Sequence, residues 1–148
     1  MRLSPHFHLD EMTASETAAR HGIANEPNET EIRNLACLCE EVLEPLRASI
    51  GRPIIVTSGF RCVELNRRLG SKDTSDHVAG RAADIKVHGL RPIEVCQRIA
   101  DLELPYRQLI HEFGAWTHVS IPADNEVPRR QHLTIDRLGT RPGLEAAR

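Results

Sequence analysis

At 148 residues, with 40% apolar and 27% charged residues, the chain has the length and composition of one globular domain spanning residues 1–148. A formal net charge of −2 gives no electrostatic case for binding nucleic acid or an anionic membrane. No apolar run approaches the ~20 residues of a membrane span, and the first six residues, Met1-Arg2-Leu3-Ser4-Pro5-His6, lack the apolar core of a secretory signal; the expectation is a protein that is cytoplasmic as synthesised.

Residues 7–20 read as a short extended stretch followed by a helix, with Phe7, Leu9 and Met12 as anchors and His21-Gly22 as its stop. Asn25-Glu26-Pro27-Asn28 is a turn-rich link. The clearest helix covers 29–50. Asn28 caps it, Glu29 and Glu31 suit its positive end, and Ile32, Leu35, Ala36, Cys39, Val42, Leu43 and Leu46 make one apolar stripe. Pro45 is expected to bend or end it. Residues 53–57, Pro-Ile-Ile-Val-Thr, read as a buried strand. A short helix over 62–69 follows, then a polar loop, 70–75, that ends near His77.

Residues 81–87 alternate as a strand, with Ala83, Ile85 and Val87 on one face and Ala82, Asp84 and Lys86 on the other. Residues 91–102 form a second amphipathic helix that tolerates Pro92 in its first turn. Strands over 106–112 and 116–121 flank the turn Phe113-Gly114-Ala115, and His118 shares a face with Trp116 and Ser120. Residues 131–136 read as an edge strand, and the tail from Thr140 as loose, which leaves a core of about 6–136. The sum is an α+β fold: a small, mainly antiparallel sheet with the 29–50 and 91–102 helices on one face.

The four cysteines, Cys37, Cys39, Cys62 and Cys96, match no zinc-ribbon or Cys-x-x-Cys spacing and read as free thiols. The histidines say more. His77 and Asp84 stand seven residues apart, and His118 lies on a later strand. Histidine and carboxylate are sensible zinc ligands, and a catalytic zinc takes three protein ligands. A carboxylate within Ala82-Ala83-Asp84-Ile85 is costly to bury unpaired, and a metal compensates it. One zinc ion on His77, Asp84 and His118 is therefore the central expectation.

These residues resemble the zinc murein peptidases that include D-alanyl-D-alanine carboxypeptidases, dipeptidases and phage L-alanyl-D-glutamate endopeptidases, with the hedgehog/DD-peptidase fold. The family's motif Ser-x-His-x-x-Gly-x-Ala-x-Asp is matched by Ser75, His77, Gly80, Ala82 and Asp84. Its Trp-x-His segment is matched by Trp116-Thr117-His118, and an upstream Ser-Gly-Phe-Arg by Ser58-Gly59-Phe60-Arg61, over residues 6–121 in all. The resemblance implies a zinc-dependent hydrolase of peptidoglycan stem peptides, of the D,D-carboxypeptidase or L-Ala-D-Glu endopeptidase type. It implies that His77, Asp84 and His118 bind zinc and that Arg61 holds a substrate carboxylate or the oxyanion. Gly80 allows a tight turn between the ligands. Ser75 braces the His77 loop and is grouped with Arg61 and Trp116 on the substrate side; Trp116 either lines the cleft or packs in the core.

One departure from the family pattern matters. Members with Glu-x-x-His carry a catalytic glutamate where this chain has Ala115. Glu112 is then the candidate base, provided a hairpin returns it toward the metal, and His111 is the alternative. The expected setting is a phage or prophage lysin that reaches the wall after release. Missing glutamate at position 115 also keeps open a non-catalytic zinc-binding interaction module on the same fold.

Overall fold

A computed structural model describes residues 1–148. β1 (Arg2–Ser4) and β2 (Phe7–His8) make a small antiparallel ribbon, followed by α1 (Leu9–Thr13) and α2 (Glu16–His21). Ser15 starts α2 by accepting the Ala18 N–H at Oγ, and Gly22 ends it in the left-handed region, φ 63°.

The predicted long helix is present but interrupted. α3 (Glu29–Leu38) begins with a reciprocal cap: Asn28 Oδ1 accepts the Glu31 N–H and Glu31 Oε1 accepts the Asn28 N–H. A π-helical turn (Cys39–Leu43) then leads into α4 (Glu44–Ile50). Pro45 has no N–H, and its ring would strike the carbonyl of Glu41 four residues back. The helix widens just before it, where the Glu44 N–H reaches Cys39 O. The apolar stripe survives this step, and Leu35, Leu38, Cys39, Val42, Leu43 and Leu46 are all fully buried.

The remaining elements are β3 (Ile55–Ser58), α5 (Val63–Arg68), β4 (Ala82–Lys86), α6 (Pro92–Asp101), β5 (Gln108–Glu112), β6 (Trp116–Ser120), β7 (Gln131–Asp136) and β8 (Gly139–Pro142). The strands form one sheet in the order β3-β4-β6-β5-β7-β8. Every pairing is antiparallel except β5 with β7. The α+β class and the mainly antiparallel sheet are thus as the sequence predicts. Ala83, Ile85 and Val87 join Leu109 and Val119 in a 22-residue core with the buried sides of α3, α4 and α6. At roughly 25 cal/mol per Å² of apolar area removed from water, burial of this face is the main force aligning the sheet on its helices. None of the helices is long and apolar enough to cross a membrane.

Three expectations are corrected. The run 53–57 is not a buried strand: β3 is a sheet edge, and Ile55 is 52% exposed while Ile54 faces the core. β7 is not an edge, because β8 covers it in register from Leu133↔Pro142 to Asp136↔Gly139. The tail is not loose from Thr140. On the helix side of the sheet His111, Thr134 and Asp136 are buried polar groups, and residues 141–148 satisfy them. Glu145 O faces His111 Nδ1 at 2.8 Å, the Thr134 hydroxyl donates to Gly143 O, and Arg141 and the Arg148 N–H reach Asp136. These partners lie from 5 to 34 residues apart, most of them beyond one helical turn or strand pair, so local composition gives little sign of them.

Candidate metal centre

Strand alternation puts Asp84 on the sheet face opposite the core, and the β4–β6 register sets it directly against His118. His118 Nδ1 lies 3.0 Å from Asp84 Oδ1, and His77 Nε2 lies 3.4 Å from the same oxygen. The two imidazoles meet edge-on with centroids 5.1 Å apart. One donor atom from each of His77, Asp84 and His118 falls within 4.8 Å of the others, and all three residues are buried.

His77 comes from the loop before β4, and its ring is held from behind. Its Nδ1 is 2.7 Å from Gly59 O. A carbonyl only accepts, so Nδ1 carries the proton and Nε2 presents a lone pair toward Asp84. Burial lowers the His77 pKa, which favours this neutral form. Burial acts on His118 in the same direction, but the Asp84 carboxylate outweighs it and raises that pKa. Burial would also favour a protonated Asp84. The hydrogen bond from His118 overcomes it and holds the carboxyl well below the ordinary carboxylate range. An ionised carboxylate and two imidazoles, gathered in a buried cluster, are a donor set that fits zinc and leaves its fourth position for water or substrate.

The Ser58-Gly59-Phe60-Arg61 segment frames this cluster. Phe60 is buried in the core and donates its N–H to Met12 O at 2.7 Å. Gly59 has no room for a side chain, since a Cβ there would sit 2.4 Å from Met12 O. Arg61 bonds Ser58 Oγ through Nε at 3.0 Å, Asn66 Oδ1 through Nη1 at 3.4 Å and Asp84 Oδ2 through Nη2 at 3.3 Å. Asn25 clamps the segment to the N-terminal helices, donating to Thr13 O and Phe60 O and accepting the Cys62 N–H. Read in sequence as part of a turn, Asn25 gives no local sign of this role, because its partners lie up to 37 residues away.

The loop carrying His77 is braced at three points. Ser75 Oγ accepts the His77 N–H at 3.3 Å, and the Arg61 N–H donates to His77 O at 3.1 Å. Asp76, in the polar stretch that leads to His77, is buried. Both its oxygens accept from Arg107 Nη1, at 2.8 and 2.9 Å. Arg107 stands just before β5, so this ion pair ties the ligand loop to the sheet. Arg107→Ala is expected to lower zinc affinity about tenfold or more while the far-UV circular dichroism stays native, with Asp76→Asn giving a similar loss. Chelator competition reads both; unchanged affinity in both variants would remove the bracing role.

Gly80 closes the loop at φ 73°, and a Cβ there would lie 2.6 Å from Glu31 O. Gly80→Ala is expected to destabilise the fold by about 2–4 kcal/mol, from left-handed strain plus the backbone clash. Gly22→Ala is the control. It shares a positive φ but has nothing within 4 Å, so about 1 kcal/mol is expected. Urea melts of the two variants make the comparison.

The β5–β6 hairpin pairs Glu112 with Trp116 and Ile110 with His118, so Glu112 shares the metal face. Its Oε1 is 4.0 Å from His118 Nδ1. Burial raises the Glu112 pKa above the ordinary glutamate value, with Asp84 adding to it and His118 and Arg61 opposing. His111 pairs with Thr117 on the opposite face and points into the tail contact, away from the cluster. Trp116 is half-buried. Together with Arg61 and Asp84 it lines a groove of about 620 Å³ that also runs past Ser58, Lys86 and residues 14–17 and 20. Its indole Nε1 is buried without a hydrogen-bond partner. Ser75 lies outside this lining.

The Peptidase M15 family model matches residues 5–120. No curated protein sequence matches the chain. The matched span holds the whole donor cluster, the loop that presents His77 and the strand that carries His118. A buried two-imidazole, one-carboxylate cluster whose Asp84 opens onto a groove is a donor set that suits a zinc hydrolase, and with that match the chain belongs to the Peptidase M15 family of zinc murein peptidases.

Proposed function

We propose that the protein hydrolyses peptide bonds in peptidoglycan stem peptides, as a D,D-carboxypeptidase or an L-Ala-D-Glu endopeptidase, with one zinc ion on His77, Asp84 and His118. The observation that carries this reading is the convergence of three donor atoms within 4.8 Å, one of them from Asp84, which lines a groove together with Arg61 and Trp116. Zinc held by these residues supplies Lewis acidity that polarises a carbonyl and makes water acidic near neutral pH.

The chain's own residues do the rest. Glu112 takes a proton from the attacking water and passes it to the leaving amine. A base with a pKa raised toward neutrality is suited to both transfers. Arg61, held by Ser58 and Asn66, fixes Asp84 and directs its remaining N–H groups at a substrate carboxylate or the developing oxyanion. Ser75 acts through the loop it braces, and Trp116 provides an apolar wall for the substrate backbone.

Mass spectrometry of purified muropeptides incubated with zinc-loaded protein tests the proposal. Loss of a terminal D-alanine assigns the carboxypeptidase reaction; separation of L-alanine from D-glutamate assigns the endopeptidase. Intact stem peptides after incubation with protein shown to hold zinc would overturn it.

A further inference from the structure

Glu112 is the last residue of β5, and the backbone sets its position. No hydrogen bond holds its carboxylate, and its one ion-pair contact, with His118 Nδ1, spans 4.0 Å. Where the carboxylate stands therefore depends on how firmly the end of β5 and the Phe113-Gly114-Ala115 turn are held. Within the sheet, β5 pairs with β6, and the Phe113 N–H donates to Ile135 O at 2.7 Å. From the face opposite the metal, the same strand end is held by residues 143–148.

His111 precedes Glu112, and its Nδ1–H donates to Glu145 O at 2.8 Å. Thr134 pairs with His111 across β5 and β7. Its hydroxyl donates to Gly143 O at 2.8 Å and accepts the Glu145 N–H at 3.0 Å. Asp136 accepts the Arg148 N–H at 2.8 Å, and Arg141 Nη1 and Nη2 at 2.9 and 2.7 Å. Leu144 packs on the core, and the Ala147 Cβ lies 3.2 Å from where a Cβ on Gly114 would stand. Satisfying buried His111, Thr134 and Asp136 is reason enough for these bonds to stabilise the fold. Their placement gives them a further consequence. His111 adjoins Glu112, Thr134 and Asp136 flank its strand partner Ile135, and Gly114 belongs to the turn that follows it. The family match ends at residue 120, so residues 143–148 lie outside it.

Taking the peptidase reading as its basis, we propose that residues 143–148 are a positioning element for hydrolysis that acts through Glu112. They brace the ends of β5 and β7 from behind, so that Glu112 keeps its place beside His118. A displacement of about 1 Å at a group that must meet the reacting atoms costs roughly 10²-fold in rate. Loosening the brace therefore lowers kcat. It leaves the zinc donors in place, because Asp84 on β4, His118 on β6 and His77 in the loop before β4 make no bond to this segment.

The test uses the zinc-loaded full chain. Thr134→Val removes both hydroxyl bonds at nearly constant shape, and Thr134→Ser keeps them. Thr134→Val is expected to lower kcat for stem peptides about tenfold to a hundredfold, with KM within about twofold and zinc at the wild-type level. Thr134→Ser should restore most of the rate, and His111→Leu, which cuts the Glu145 bond instead, should repeat the loss. In a Glu112→Gln background Thr134→Val should cost no more than about twofold, because the group it acts through is gone. Amide exchange in the wild type needs no variant: the Glu145 and Arg148 N–H groups should be protected about 100-fold or more. The Phe113 and Ala115 amides should exchange faster in Thr134→Val than in wild type. Exchange at 145 and 148 at the free-peptide rate, unchanged kcat in both Thr134→Val and His111→Leu, or equal losses in the two backgrounds overturns the brace and leaves the peptidase reading standing. If the zinc-loaded wild type cleaves no stem peptide, that reading falls. Faster exchange at Phe113 and Ala115 in Thr134→Val then still supports the brace on the Glu112 hairpin, and unchanged exchange there removes it too.

Discussion

His118→Ala is expected to lower hydrolysis of stem peptides by more than about 10³-fold, and to reduce bound zinc from about one ion per chain to a small fraction, since a three-ligand site does not survive the loss of a central imidazole. His118 sits opposite Asp84 in the middle of the sheet, so its removal also takes away the closest partner of a buried carboxylate. A stability loss of about 1–3 kcal/mol accompanies it. His77→Ala separates the two effects. His77 belongs to a loop, and its removal should abolish zinc binding with a smaller change in the urea midpoint. Elemental analysis after desalting, beside activity and urea melts, reads all three quantities. Zinc retained at wild-type stoichiometry by both variants would break the assignment of the centre.

The same site makes zinc uptake pH-dependent in a stated direction. His118 has a pKa raised above the ordinary 6.5 in the metal-free protein, chiefly because Asp84 outweighs burial. Its proton must leave before the nitrogen can ligate. Apparent zinc affinity should therefore rise with pH through and above that value, by up to about tenfold per pH unit while one proton is displaced. Chelator competition at several pH values measures the slope. A flat profile from acidic to mildly alkaline pH would argue that His118 does not exchange its proton for the metal.

Glu112→Gln carries the second large effect. Hydrolysis should fall by about 10²–10⁴-fold while zinc stays at the wild-type level, because the amide cannot accept the proton of water yet keeps the shape of the side chain. The position follows from the hairpin. Phe113 and Gly114, both at positive φ of 55° and 62°, open a three-residue connection, Phe113-Gly114-Ala115, closed by the Ala115 N–H donating to Glu112 O at 2.9 Å. That turn sets Glu112 opposite Trp116 and on the face of His118. Family members with Glu-x-x-His carry glutamate where this chain has Ala115, so in this chain the carboxylate reaches the site from the facing strand. Activity that survives Glu112→Gln would remove it as the base. Wild-type protein that holds zinc but cleaves no stem peptide would instead favour a zinc-bearing interaction module.

The local pattern of the chain was enough to determine a good deal of this protein. Period-two alternation over 81–87 and 116–121 placed Asp84 and His118 on polar strand faces, and the three- and four-residue stripe from Ile32 to Leu46 defined the main helix. The spacing of His77, Gly80 and Asp84, with His118 downstream, was sufficient to nominate the donor set before any geometry was known. The strand faces, the helix stripe and the His77-Gly80-Asp84 spacing are legible because each rests on a short-range pattern along the chain.

Tertiary structure decided what depends on distant partners. Asp76 looks like a solvated loop residue until Arg107, 31 positions later, is brought to both of its oxygens. Residues 140–148 look like a loose tail until β8 pairs with β7 and buried His111, Thr134 and Asp136 supply partners for the rest. β3 and β7 exchange the edge and interior roles their composition suggests, because strand order is a property of the whole sheet. The choice between Glu112 and His111 turns on a one-residue register: shifting a strand by one residue flips every side chain to the other face, and only the pairing of β5 with β6 puts Glu112, and not His111, on the face that carries Asp84 and His118.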